Sequence, residues 1–97
     1  MVCEGSLHAA RAYSDLQSIL RYIDERSPRG AGNLKRAVRK TIELIAEFPE
    51  SGRLTGEQAT RVLPAGRYPY LIYWAIRENE IWLVHIRDAR RSSWRGE

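Results

Sequence analysis

Arginine dominates the chemistry available to this chain. It carries 14 arginines against two lysines, Lys35 and Lys40. The guanidinium is a flat, permanently charged fork that matches phosphate and carboxylate oxygens. A GC-rich coding sequence also favours arginine, so position says more than number. Arg87, Arg90, Arg91 and Arg95 lie close together with Asp88 as the only acid between them, and Trp94 stands among them. A basic cluster beside an aromatic suits an acidic partner, either nucleic acid or protein. Lys35, Arg36, Arg39 and Lys40 form a second run. It reads first as a solvated helix face, and second as a weak, screened attraction to nucleic acid.

Other candidate groups have plainer readings beside the chemical ones. Tyr68, Tyr70, Tyr73, Trp74 and Trp82 are of the type that stacks on bases. Their period-two spacing favours core and interface instead. His85 alternates with Leu83 and Ile81, which points it into an apolar face as a hydrogen-bonded structural residue. Asp88 lies two residues before Arg90 and reads as half of a local ion pair. With Cys3, His8 and His85 as the only cysteine and histidines, neither an internal disulfide nor a structural zinc site is expected. No cofactor or metal is expected either. No apolar run reaches the roughly 18 residues of a membrane span. The start, MVCEGSLHAAR, lacks the apolar core of a signal peptide. The expected setting is the cytoplasm, with no membrane partner.

These groups need a scaffold, and 97 residues with 43% hydrophobic and 29% charged side chains supply one globular domain over 1–97. Tyr13, Leu16, Ile19, Leu20 and Ile23 recur at three and four residues and predict a helix over about 9–26. Ser27-Pro28 reads as an N-cap with proline in the first turn. Ala31, Leu34, Val38, Ile42, Ile45 and Phe48 then mark the stripe of a second helix, which Pro49 ends. A helical hairpin over 9–48 follows. Residues 49–58 read as a loop. From 59 to 87 the period is two: Thr60–Leu63 is a short strand, and 67–76 and 81–87 form an antiparallel hairpin across the turn Arg77–Glu80. Pro69 falls inside the first hairpin strand on this reading, which implies a bulge or an outer edge there. Residues 1–8 are a weak or irregular first strand, and 88–97 a basic tail. Both faces of the hairpin are apolar, and two helices cover only one. The other is expected to meet the tail or another protein.

In this order, several motifs resemble the RelE/ParE family of type II toxin–antitoxin toxins, most closely its ParE-like members. They are Asp15-Leu16 with Ile19 and Tyr22-Ile23, Ser27-Pro28, Phe48–Arg53, Thr60–Leu63, Tyr68–Tyr73 and Val84–Arg91. The resemblance runs from about residue 10 to residue 94. It implies an α+β fold, with an N-terminal helical hairpin packed on one face of a small curved antiparallel sheet. It also implies a cognate antitoxin whose C-terminal segment wraps the toxin, giving a hetero-oligomer. An antitoxin contact is expected at Leu16, Ile19, Tyr70, Tyr73, Trp74 and Trp82.

The family divides by target. ParE-like members bind and poison DNA gyrase; RelE-like members cut mRNA on the ribosome. Cleavage without a metal needs a base, an acid and cations around the phosphorane. The resemblance offers Arg53, Arg61 and Arg87 as cations, and His85 or Asp88 as the base. The chain departs from the family in two places. MVCEGSLH carries little of the usual alternating first strand, and Asp88 stands where many members have histidine. RelE-type catalysis also draws on lysines, and both lysines fall in the helical half. The leading expectation is therefore a gyrase-binding toxin that engages its target through Arg87, Arg90, Arg91 and Trp94. The alternatives are a metal-independent mRNA endonuclease and a degenerate member that binds antitoxin without toxicity.

Overall fold

A computed structural model describes residues 7–56 and 59–89. The elements follow in the order β1 (Leu7–His8), α1 (Ala10–Asp24), α2 (Pro28–Glu47), β2 (Arg53–Leu54), β3 (Thr60–Pro64), β4 (Tyr70–Arg77) and β5 (Glu80–Asp88). The architecture is the expected α+β one: a helical hairpin on one face of a single sheet. Strand order is β1-β5-β4-β3-β2, antiparallel except for the short parallel β1–β5 pair. The expected first strand shrinks to two described residues.

The helices start and stop for local reasons. Ser27 is extended, and its Oγ accepts from the Gly30 amide at 3.0 Å, with Pro28 opening α2. Ala31, Leu34, Val38, Thr41 and Ile45 form the buried stripe of α2. Two residues placed on the helical stripes by spacing lie outside them. Tyr13 is 61% exposed while neighbouring Ala12 is buried, so the phase of α1 is set by a small residue and not by the ring. Phe48 is 55% exposed, because the backbone leaves the helix at that residue.

The core lies between helices and sheet. Ala12, Leu16, Leu34, Val38 and Ile45 pack against Tyr70, Ile72, Trp74, Ile81, Leu83 and Ile86. The Trp74 indole is fully buried, and its Nε1 donates to the Pro49 carbonyl at 2.9 Å, which ties the end of α2 to the sheet. Gly52 makes this possible. A Cβ there would lie 2.6 Å from the Trp74 ring, and its φ of +78° suits glycine. The segment expected as plain loop thus contains β2, whose two residues pair with Val62 and Arg61. Pro69 precedes β4 instead of interrupting it, and its carbonyl accepts from the Ala89 amide at 2.8 Å. A two-residue turn, Glu78-Asn79, joins β4 to β5 with both residues at positive φ (53° and 66°), the type I′ arrangement.

One irregularity decides what the sheet presents. Tyr73 pairs with His85, but Trp74 pairs with Leu83, leaving Val84 as an extra residue in β5. A bulge of this kind inverts the alternation beyond it. Ile81 and Leu83 face the helices before it; Ile86 and Asp88 do so after it.

Candidate functional site

The face turned away from the helices can be read in rows across the strands. Arg53, Val62, Tyr73 and His85 are successive register partners and form the central row. Pro64, Leu71 and Arg87 form the row beside it, and Thr60, Ala75, Trp82 and His8 the row on the other side. The expectation that His85 sits with Leu83 and Ile81 is corrected here: the Val84 bulge carries it to this outer face. Its ring meets the buried Tyr73 edge-on, with centroids 4.5 Å apart. Arg87 is exposed, and its Nε donates to His85 Nε2 at 3.4 Å. Arg53 is exposed at the far end of the same row. The first two rows therefore hold two arginines, a histidine and a tyrosine, and no carboxylate.

The other candidates lie elsewhere. Arg61 pairs with Trp74 on the helix-facing side, and its guanidinium donates to the carbonyls of Glu50 (2.9 Å) and Ser51 (3.4 Å). Those bonds cap the chain leaving α2, so this guanidinium is occupied by the fold. Asp88 pairs with Tyr70, also on the helix-facing side. Arg90, Arg91 and Trp94 lie outside the described residues.

Of the side chains expected to meet an antitoxin, Leu16, Tyr70 and Trp74 are consumed by the chain's own core, and Tyr73 is buried on the outer face. Burial within the chain removes them from a partner's reach. Ile19 is half-buried at the core margin, and Trp82 is 43% exposed. Large apolar side chains are exposed instead at Tyr13, Tyr22, Leu44, Phe48 and Leu54. Spacing alone missed Tyr13 and Phe48 because it put both on buried stripes.

Among the described residues no group of three or more His, Cys, Asp or Glu is arranged to hold a metal, and no helix is long and apolar enough to cross a membrane.

Two helices followed by an antiparallel sheet with a basic outer face define a small α+β fold class. The structure matches that of a chromosomal ParDE toxin–antitoxin system from P. aeruginosa with a TM-score of 0.76 and 17% identity, over 87% of this chain and 94% of that one. Residues 8–93 match the family model described as the ParE toxin of the type II toxin–antitoxin system parDE. A curated relative, Toxin RelE2 of Caulobacter vibrioides, is 31% identical over 81 residues, which cover 84% of this chain and 90% of the relative. The chain belongs to the ParE toxin family of type II toxin–antitoxin systems. Membership implies an antitoxin as its partner.

Proposed function

We propose that this toxin acts by binding DNA gyrase and not by cutting RNA. The observation that supports this reading is the division of the candidate groups between two faces of the sheet. Arg53, His85 and Arg87 are on the outer face, whereas Asp88 and Arg61 are on the face packed against the helices. Metal-free RNA cleavage needs base, acid and cations converging within hydrogen-bond reach of one phosphate. Here the second base candidate, Asp88, is turned away, and one of the three arginines is bound to the carbonyls of Glu50 and Ser51. His85 Nε2 already accepts from Arg87. A surface of fixed cations around an aromatic suits recognition of an acidic partner surface better than proton transfer.

The second reading, ribosome-dependent mRNA cleavage, is favoured by one specific feature: Arg53, Tyr73, His85 and Arg87 do share the outer face. The two separate cleanly. Purified toxin is assayed for inhibition of gyrase supercoiling and for cleavage of mRNA on translating ribosomes. The expected result is inhibition with intact mRNA. Cleavage that falls by about 10²-fold or more in His85→Ala or Arg87→Ala would reverse the ranking.

A further inference from the structure

The outer face has a second feature, at the end away from Arg87. Here β1, the start of α1 and the turn end of the β4–β5 hairpin enclose a groove of about 580 Å³, lined by His8, Ala9, Arg11, Ala75, Arg77 and Trp82 among others. The rings of His8 and Trp82 are stacked, 3.9 Å between centroids and 15° between planes. His8 Nε2 and Glu80 Oε1 are 2.8 Å apart, which fixes the imidazole in that stack.

The strand order sets the rest of the geometry. β5 lies between β1 and β4, so Trp82 has His8 on one side and Ala75 on the other. The β4 residue opposite, Ala75, is buried, whereas Trp82 stays 43% exposed and lines the groove. An exposed indole in the wall of a groove suits a flat ring.

Charge stands in the same groove. Arg11 and Arg77 both line the groove, and among the described residues neither guanidinium has an ion pair or a hydrogen bond. Unlike Arg61, they are not occupied by the fold. The first turn of α1 adds to the same field. Its N-cap, Ala9, makes no side-chain cap, and the turn carries no acid, so its partial positive charge is unanswered.

A flat aromatic ring joined to an anion is the ligand this arrangement describes. We propose that the groove binds a nucleotide unit, with the base against Trp82 and the phosphate held by the arginines that line the groove, Arg11 and Arg77. The unit is either a free mononucleotide or one exposed nucleotide of a single strand. The chemistry is the same for both. The site is independent of the target proposed above, because none of its residues is in the Arg53–His85–Arg87 rows.

Titration calorimetry of the full-length chain tests it, using adenosine 5′-monophosphate, adenosine, inorganic phosphate and a short oligodeoxyadenylate. Adenosine monophosphate is expected to bind saturably, with adenosine and phosphate each at least about tenfold weaker. Trp82→Leu should weaken binding about tenfold or more, the usual effect of losing a stacking ring. Arg77→Ala, which removes only an exposed side chain, should also weaken it and flatten its salt dependence. Circular dichroism melts check that both variants keep the fold. An oligonucleotide that binds more tightly than the monophosphate identifies a strand as the source. A monophosphate that binds while the oligonucleotide does not identifies the free nucleotide. Absence of saturable binding by both overturns the proposal, as does binding that neither substitution changes.

Discussion

Arg61 and Arg87 are the same residue type with opposite situations. The Arg61 guanidinium donates to two backbone carbonyls, whereas Arg87 is exposed and leans on His85. Arg61→Ala should therefore lower stability by about 1 kcal/mol, the usual loss for such hydrogen bonds. Activity per folded molecule should stay near that of the parent. Urea titration beside a supercoiling assay checks this, and a stable but inactive variant would place Arg61 at the target instead. Asp15 allows a sharper test. Its Oδ2 accepts from the Ile86 amide at 3.2 Å, on the edge of β5 beyond the reach of two-residue β1. Asp15→Ala leaves that amide without its acceptor and should lose about 1–3 kcal/mol, while Asp15→Asn keeps an oxygen and most of the stability. Equal losses in the two variants would rule out the hydrogen bond as the cause. Neither role was legible in the sequence. Arg61 acts through carbonyls 10 and 11 residues back and Asp15 through an amide 71 residues on, and composition carries no trace of such backbone partners.

At the scale of elements, the helices and the long strands were legible because each follows one period over many residues. Ser27-Pro28 announces α2, and Glu78-Asn79 falls where the hairpin must turn. What periodicity cannot register is a single extra residue. Val84 is an ordinary strand former in an ordinary strand sequence, yet its bulge sends His85 and Arg87 outward and Asp88 inward. Strict alternation assigned His85 to the apolar face for that reason. β2 was hidden differently: two exposed residues beside a glycine have no pattern of their own, and only β3 makes them a strand. Gly52 is its signature in retrospect. Gly52→Ala should destabilise by about 1–3 kcal/mol, since positive φ and contact with the Trp74 ring and the Val62 carbonyl oppose a side chain together. A denaturation midpoint equal to that of the parent would mean β2 moves freely. The hairpin turn offers the reverse effect. Glu78 sits at φ 53°, which asparagine tolerates better. Glu78→Asn is expected to raise stability by up to about 1 kcal/mol, read as a higher midpoint with unchanged slope.

For the whole molecule, charge distribution links fold to partner. The net charge is +4, and the helix-facing side of the sheet is spent on the core. Arg53 and Arg87 stand exposed on the outer face. Residues 90–97, outside the described region, carry Arg90, Arg91 and Arg95 against Glu97, with Trp94 among them. The Ala89 amide, bonded to the Pro69 carbonyl, makes a contact that ties the end of β5 to the chain entering β4. Truncation after Ala89 keeps that bond and all of β5. It should leave the folded domain within about 1 kcal/mol of the parent, as is usual for terminal residues that add little to a core. Toxicity should drop, because the truncation removes Arg90, Arg91 and Arg95, whose charge strengthens attraction to an acidic surface. Association with target or antitoxin should slow most at low salt, where exposed charges still act over a Debye length of about 10 Å at 0.1 M and longer below it. Growth assays of the truncated chain expressed without antitoxin read the first effect, and stopped-flow association at two ionic strengths reads the second. Full toxicity from a well-expressed truncation would move the target surface entirely onto Arg53, His85 and Arg87. The Arg87→Ala supercoiling assay then becomes the measurement that decides.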